Sequence, residues 1–315
     1  MGVYVLKRVV TVPLTALAVL TVLFFVLRIV PGDPAVLILG EYASPEEVRV
    51  LRHELGLDRP LVVQYAAYLS DIAQGDLGSS LRTRRSVFGE IAKVLPYTLM
   101  LAGGGVVVSI LLGLPLGVIA AVRRGRAADA AASVICLLGQ SMPVFLLGLS
   151  LLLIFSYYLA WLPVLGAGHA SSVTSLAVHL VLPSLTIGLT VMGPIGRMTR
   201  SSILETLGQD YITTARAKGL AERRIVYKHA LRNALLPIVT VASLNLGYLL
   251  GGAVVTETIF ARPGLGRLLI EAIFARDYPQ IQGTVVVFAL GFIAVNLLTD
   301  LLYGLIDPRV SVAKS

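Results

Sequence analysis

Long runs without a single Asp, Glu, Lys or Arg constrain this chain more than any other feature. They cover Val9–Leu27, Val94–Val122, Ala130–Gly196, Asn233–Thr256 and Tyr278–Thr299. A helix that crosses a bilayer needs about 20 mostly apolar residues. Lipid offers no partner to backbone N–H and C=O groups, so each crossing must satisfy them internally. Four runs have the length of one span each. The fifth, 67 residues from Ala130 to Gly196, is too long for one helix. It is interrupted at Trp161-Leu162-Pro163 and by the turn Gly166-Ala167-Gly168-His169-Ala170-Ser171-Ser172, which divides it into spans near 132–158 and 178–199. Six spans result. The first follows Lys7-Arg8 as a signal peptide would, but it is longer than the usual apolar core and no small-residue cleavage site follows, so a retained span is expected.

Composition agrees. Only 14% of the 315 residues are charged and 56% are apolar, against roughly 25% charged in soluble domains. That excludes a disordered chain and argues against a soluble enzyme. The net charge of +8 needs no nucleic acid, because its distribution follows the loops. With the N-terminus in the cytoplasm, the inner segments hold 15 cations against five acids, and the outer ones 11 against 12. Short inner loops of membrane proteins carry such an excess of Lys and Arg. Both termini are therefore expected in the cytoplasm, and the protein in a bacterial inner membrane.

Two loops exceed what a connection requires. Residues 31–93 lie outside. Pro31-Gly32-Asp33-Pro34 stops the first span. Ser44-Pro45-Glu46-Glu47 reads as a helix start, with Ser at the N-cap and Pro at the first position, and Val48, Leu51 and Leu55 follow at helical spacing up to Gly56. Leu61–Ile72 forms a second amphipathic helix with Tyr65, Tyr68 and Leu69 on one stripe, before the turn Gly75–Ser80. The segment is either a cap packed on the bundle or a gate and docking surface for an external partner. Residues 201–232 lie inside. Ser202 and Glu205 have capping-box spacing, Thr213–Lys218 favours helix, Gly219 suits a left-handed stop, and a second basic helix leads into Leu236-Pro237. Thirty such residues fit either a partner surface or a basic segment at anionic headgroups.

Other chemistry is missing. Gly-x-x-x-x-Gly-Lys-Ser/Thr, Gly-x-Ser-x-Gly and His-Glu-x-x-His do not occur, so a phosphate loop and the commoner hydrolytic sites are absent from the sequence. The single cysteine, Cys136, cannot form an intramolecular disulfide. His53, His169, His179 and His229 are scattered over both sides of the membrane, so no metal site is expected. Polar residues within spans are costly and often mark a pathway; Gln140, Asn245, Asn296 and Asp300 are candidates, with Gly251 leaving space or allowing close helix packing. Asn296 and Asp300 are four apart and share a helix face. Glu257, Arg262 and Arg267, near the outer face, are candidates for docking an external protein or are solvated loop charges.

The internal loop resembles the cytoplasmic motif of bacterial ABC importer permeases. Thr213-Thr214-Ala215 stands at the Glu-Ala-Ala positions of that motif, Gly219 lies four residues beyond Ala215, and Leu236-Pro237 closes the pattern. The two threonines and the 18-residue interval from Gly219 to Pro237 depart from the general pattern towards its dipeptide/oligopeptide/nickel branch. That branch is also resembled by Asp210-Tyr211-Ile212, His229-Ala230-Leu231-Arg232-Asn233, Leu55-Gly56-Leu57-Asp58-Arg59-Pro60, Thr256-Glu257, Pro263-Gly264-Leu265-Gly266, Asp277-Tyr278-Pro279 and Asp307-Pro308-Arg309. The long first external loop is similar to that of the "B" subunit of such pairs.

The resemblance implies an all-α, six-helix type I permease bundle in three segments: a first span (1–30), an external loop (31–93) and a five-helix core (94–315) with its coupling loop (201–232). It implies a sister permease, two ATPases that bind ATP and Mg, and an external substrate-binding protein. It implies no catalysis by this chain itself. Residues Asp210, Tyr211, Thr214, Ala215, Arg216, Ala217, Lys218, Gly219, Leu220, Glu222 and Arg223 would then couple to the ATPase. Peptides are the expected cargo, with glutathione, a nickel chelate or another small solute as alternatives. A secondary transporter or channel is the alternative of another class, and it leaves the 201–232 loop unexplained.

Overall fold

The computed structural model describes residues 2–29, 34–39, 43–54 and 56–306, and no side chain is described at 2–12, 27–30, 34, 37, 38, 236, 246–252 or 300–306. The described residues are mostly helical. Helices α1 (Gly2–Ile29), α2 (Pro34–Leu39), α3 (Pro45–Glu54) and α4 (Leu61–Ala73) precede α5 (Val87–Val122). Then come α6 (Ala127–Ser141), α7 (Val144–Leu151) with a π-helical continuation over Leu152–Tyr158, and α8 (Val173–Leu207). The second half holds α9 (Asp210–Ala217), α10 (Glu222–Arg224) with a π-helical segment over Ile225–Ala230, α11 (Leu231–Ile259), α12 (Leu265–Phe274) and α13 (Tyr278–Ile306). Among the described residues the only β-pairing is an isolated antiparallel bridge between Ser79 and Ser86.

Among the described residues, three helices are long and apolar enough to span a bilayer by themselves: α5, α8 and the part of α13 up to Thr299. The expected third span is not one straight helix. Its two halves, Ala127–Ser141 and Val144–Tyr158, are bent by 104°. The cause lies at Met142-Pro143. Proline has no N–H to continue the ladder, and its ring pushes the preceding residue out of the helical region. Met142 accordingly takes φ −78°, ψ 131°, and Pro143 φ −56°, ψ 135°. Counting charges could not detect this break. The expected first and fifth spans correspond to α1 and α11, helical over 28 and 29 residues. The motifs at 31–33 and 307–309 lie outside the described residues.

The fourth span is longer than the sequence suggested. Ser172 caps α8 by accepting the Ser175 N–H at 3.2 Å, and the helix runs 35 residues. Ser202 is therefore not an N-cap. It sits buried inside α8, where its carbonyl accepts the Thr206 hydroxyl. The capping-box spacing at 202–205 is incidental, because packing of the last turns of α8 keeps the helix going. A genuine capping box occurs at α3, where Glu47 N–H donates to the Ser44 hydroxyl while Ser44 N–H donates to the Glu47 carboxylate at 2.8 Å.

The chain forms two compact units. One comprises residues 1–5, 97–263 and 295–315; the other comprises 6–96 and 264–294. This grouping differs from the sequential segments 1–30, 31–93 and 94–315. The first unit is centred on α8. Ile187, Val191, Ile195 and Ile203 of α8 meet Leu101, Val118 and Ala121 of α5, Val226 and Ala230 of the π segment, and Ala234, Ile238 and Ala253 of α11. The hydroxyls of Thr186, Thr190, Thr199 and Thr206 donate back to carbonyls three or four residues earlier in α8, so these four buried hydroxyls are satisfied within their own helix. Outward-facing residues such as Leu111, Leu137, Leu138 and Leu153 are exposed, the arrangement expected where lipid or another subunit replaces water. In the second unit, Phe24 of α1 is fully buried and its ring centroid lies 5.1 Å from that of Tyr65 and 5.4 Å from that of Tyr68, both on α4. The aromatic stripe predicted on the external segment thus packs on α1, as a cap would.

Close approach between α6 and α8 requires Gly193. A Cβ there would lie 2.6 Å from the Cys136 carbonyl oxygen. Gly193→Leu is expected to destabilise the bundle by roughly 1–3 kcal/mol or more, seen as a lower thermal midpoint in detergent. Gly103→Ala, where an added Cβ meets nothing within 4 Å, is the control and is expected to leave that midpoint nearly unchanged.

Candidate functional site

The candidate coupling surface is the α9 turn. Helix α8 ends at Leu207, and Gly208 N–H and Gln209 N–H close it on Glu205 and Thr206. Helix α9 begins at once, with Asp210 in its first turn and Arg216 in its last, each of the sign the helix dipole favours. Its underside is anchored by one residue, Ile212, which is fully buried. The helix ends in a Schellman motif: Leu220 N–H bonds to the Ala215 carbonyl and Gly219 N–H to the Arg216 carbonyl. Gly219 has φ +77°, the left-handed conformation that glycine adopts without steric cost. A Cβ at Gly219 would meet nothing within 4 Å, so the backbone here is open to approach from outside.

Polar and charged side chains tie the turn to α10 and α11. Arg216 Nε donates to Glu222 Oε1 at 2.6 Å, bridging α9 to α10. Tyr211 accepts a hydrogen bond from the Asn233 amide at 2.6 Å, linking the start of α9 to the start of α11. Thr214 bonds back to the Asp210 carbonyl. Tyr211, Thr213, Thr214, Arg216, Ala217, Lys218, Gly219, Glu222 and Arg223 are exposed, and Ala215 and Leu220 are half-buried. The surface is a short helix with small residues near its tip and a mixed-charge rim.

The expected second basic helix is present, but as α10 and the π segment running without a break into α11, with Pro237 inside that helix. Two supports of the surface were not singled out from sequence. One is the Asn233–Tyr211 bond. The other is the Asp129–Arg200 pair, in which the guanidinium Nε and a terminal nitrogen reach the two carboxylate oxygens at 2.8 and 2.9 Å. This fork joins the first turn of α6 to α8, about two helical turns before α8 ends. Both pairs join residues far apart in the chain, so no local spacing announces them.

The pathway candidates are less gathered. Gln140 is exposed and lies beside Gly193 of α8. Asn245 is half-buried and spends its amide on the Val241 carbonyl of its own helix. Asn296 is half-buried. The surroundings of Gly251 and the side chain of Asp300 lie outside the described residues. The docking candidates divide. Arg267, in the second unit, is partly exposed and pairs with Glu271 at 2.8 Å. Glu257 and Arg262, in the first unit, are not the outer loop charges expected: both are fully buried. Glu257 accepts the buried Thr98 hydroxyl at 2.6 Å, and the Arg262 guanidinium lies 5.7 Å from the Tyr97 ring centroid. A charge at or just beyond a helix end can sit inside when a neighbouring helix supplies a hydrogen-bond donor or an aromatic face. Among the described residues, no group of three or more His, Cys, Asp or Glu is placed to hold a metal.

A helical membrane chain with a small-tipped cytoplasmic helix after its fourth span defines a transport permease. The chain belongs to the family of binding-protein-dependent transport system inner membrane components, which it matches over residues 113–312, and the N-terminal component of that family matches residues 1–102. It is 44% identical, over 98% of both chains, to the glutathione transport system permease protein GsiC of Salmonella choleraesuis, and 43% identical over the same share to that of Escherichia coli K12. Among solved structures it is similar to the MetNI methionine ABC transporter in an inward-facing conformation, at 21% identity and a TM-score of 0.57, over 69% of this chain and 96% of that one. The protein is thus a multi-pass inner-membrane permease subunit of an ABC importer with the type I fold.

The Arg216 guanidinium holds the Glu222 carboxyl below its ordinary value. The order that this pair brings to the turn is present above the unfolded carboxylate range and is lost as pH falls through the lowered value. In Glu222→Gln, hydrogen-exchange protection of the Gly219 and Leu220 amides, corrected for intrinsic rate, is expected to drop severalfold at pH 7. The difference from the unmodified protein should vanish in acid.

Proposed function

We propose that this chain is one half of the translocation path of an ATP-driven importer of peptides, with di- and tripeptides favoured over longer chains. Glutathione, the cargo in the names of the GsiC relatives, is itself a tripeptide and belongs to this class. The observation that carries the reading is the α9 turn: a helix anchored by the single buried residue Ile212, tipped by an open left-handed glycine and ringed by charge. Small residues at the tip let another backbone come close, and the rim sets electrostatic complementarity. That is the form of a surface made to seat in a groove of a partner. The partner on this side is an ATPase, present twice, which binds ATP and Mg. A sister permease completes the path, and an external binding protein delivers the solute.

In this mechanism ATP binding closes the ATPases on each other and carries α9 with them. The motion passes to α8 directly and to α11 through the π segment and the Asn233–Tyr211 bond. The Asp129–Arg200 fork passes it to α6. The outcome is rigid-body rocking of packed helices and alternating access. The charged residues of the loop contribute recognition and not chemistry.

Purification of the tagged chain from its native membrane is expected to recover a sister permease and ATPase subunits. Turnover should be stimulated by a binding protein loaded with a dipeptide, a tripeptide or glutathione. Recovery of this chain alone, with peptide flux in liposomes driven by an ion gradient, would overturn the proposal. Gly219→Arg and Ala215→Glu are each expected to lower uptake at least about tenfold, the equivalent of about 1.4 kcal/mol at the interface, while the complex still assembles. Normal uptake in both variants would remove α9 from the coupling role.

A further inference from the structure

The external turn after α4 carries three arginines that neither the coupling surface nor the helical core uses. Residues Ser79–Ser86 fold back on themselves through the Ser79–Ser86 bridge, with Ser80 N–H on the Arg85 carbonyl and Arg84 N–H on the Ser80 carbonyl. The turn is held from beneath by Asp277, the residue just before α13. The residue is 3% exposed. Its carboxylate accepts the Ser80 hydroxyl at 2.5 Å, Leu81 N–H at 3.2 Å and Arg82 N–H at 3.3 Å, as well as Gln280 N–H at 3.3 Å. A carboxylate with four donors is fully used by the fold, so Asp277 has no capacity left for a ligand. The work it does is to shape the turn.

That shaping presents Arg82, Arg84 and Arg85 to the exterior. All three are exposed, and among the described residues none has an ion-pair partner. Arg84 stands at φ +57°, a conformation that costs an ordinary residue energy and persists only where the surroundings impose it. Three like charges within four residues of a rigid turn repel one another. Such a cluster is relieved by an acidic counterpart.

Lipid headgroups are the less favoured counterpart on geometry. The apolar run of α5 begins at Val94, and the helix itself begins at Val87. Seven residues of helix rise about 10 Å. The headgroup layer on each side is only roughly 5–7 Å deep. The arginines of the turn are thus set apart from that charge-free run by the first two turns of α5.

We propose that the Arg82–Arg85 turn, fixed by Asp277, is a docking knob for an acidic face of the external solute-binding protein. The inference rests on the importer reading and adds the surface that meets the delivery partner and the chemistry of its complement. Asp277 is a positioning residue here, not a contact.

The test uses the whole complex in phosphatidylcholine nanodiscs and the external binding protein recovered with it. Arg82→Glu, Arg84→Glu and Arg85→Glu together are expected to slow association about tenfold at low salt, because charges at such a contact act mainly on the on-rate. The gap should close at about 0.5 M salt, where the Debye length shrinks towards a few ångströms. Asp277→Asn keeps the three charges but loosens their support, and should lie between the two. The surface triple variant folds even if Asp277→Asn does not. Equal association rates and salt slopes for the triple variant and the unmodified complex would overturn the inference and leave the importer reading standing. Absence of any external protein bound by the unmodified complex would overturn both. A charge effect seen only when phosphatidylglycerol replaces phosphatidylcholine would assign the turn to lipid and overturn it as well.

Discussion

The whole structure answers to the absence of hydrogen-bond partners in hydrocarbon. An unpaired peptide group there costs several kcal/mol, so the chain is built of helices that close their own ladders. The same rule reaches the side chains. In α8, four threonine hydroxyls spend themselves on carbonyls of their own helix. Glycines then permit helix backbones to approach until packing replaces the missing hydrophobic drive. Charge sits near a helix end in the Asp129–Arg200 fork and is folded inward at Glu257, which accepts the Thr98 hydroxyl.

The cytoplasmic and external features are built on opposite logic. The α9 turn is mostly a local construction: its Schellman closure, Thr214 bond and Arg216–Glu222 pair lie within residues 210–222, and the Tyr211–Asn233 bond joins it to α11. A local object of this kind can move as a unit when a partner pulls on it. The external arginine turn is a non-local construction, shaped by a carboxylate far along the chain. It is held rigid and presents a fixed arrangement of charge.

Legibility from sequence divides along the same line. The helical character, the membrane class, the Ser44 cap, the aromatic stripe of α4 and the left-handed Gly219 all depend on neighbours within one or two turns, and the sequence displays them. The bend at Pro143 escapes a count of charges, which treats proline as one more apolar residue. The extent of α8 escapes it too, because packing against α5 and α11 carries the helix past a spacing that elsewhere starts one. Glu257 and Arg262 look like surface charges in the sequence because their donor and aromatic neighbours, Thr98 and Tyr97, are some 160 positions away. Asp277 can be singled out as part of Asp-Tyr-Pro but not understood, since its partners sit at Ser80, Leu81 and Arg82.

The clasp between Ser80 and Asp277 also sets an order of events in the making of the protein. The two residues are separated by 197 positions. At ~5–20 residues per second of synthesis, ~10–40 s pass between the emergence of the turn and that of the carboxylate which shapes it. For that interval the three arginines lie on an unfinished loop. The hydrogen bonds that shape the turn are complete only once Asp277 has been made.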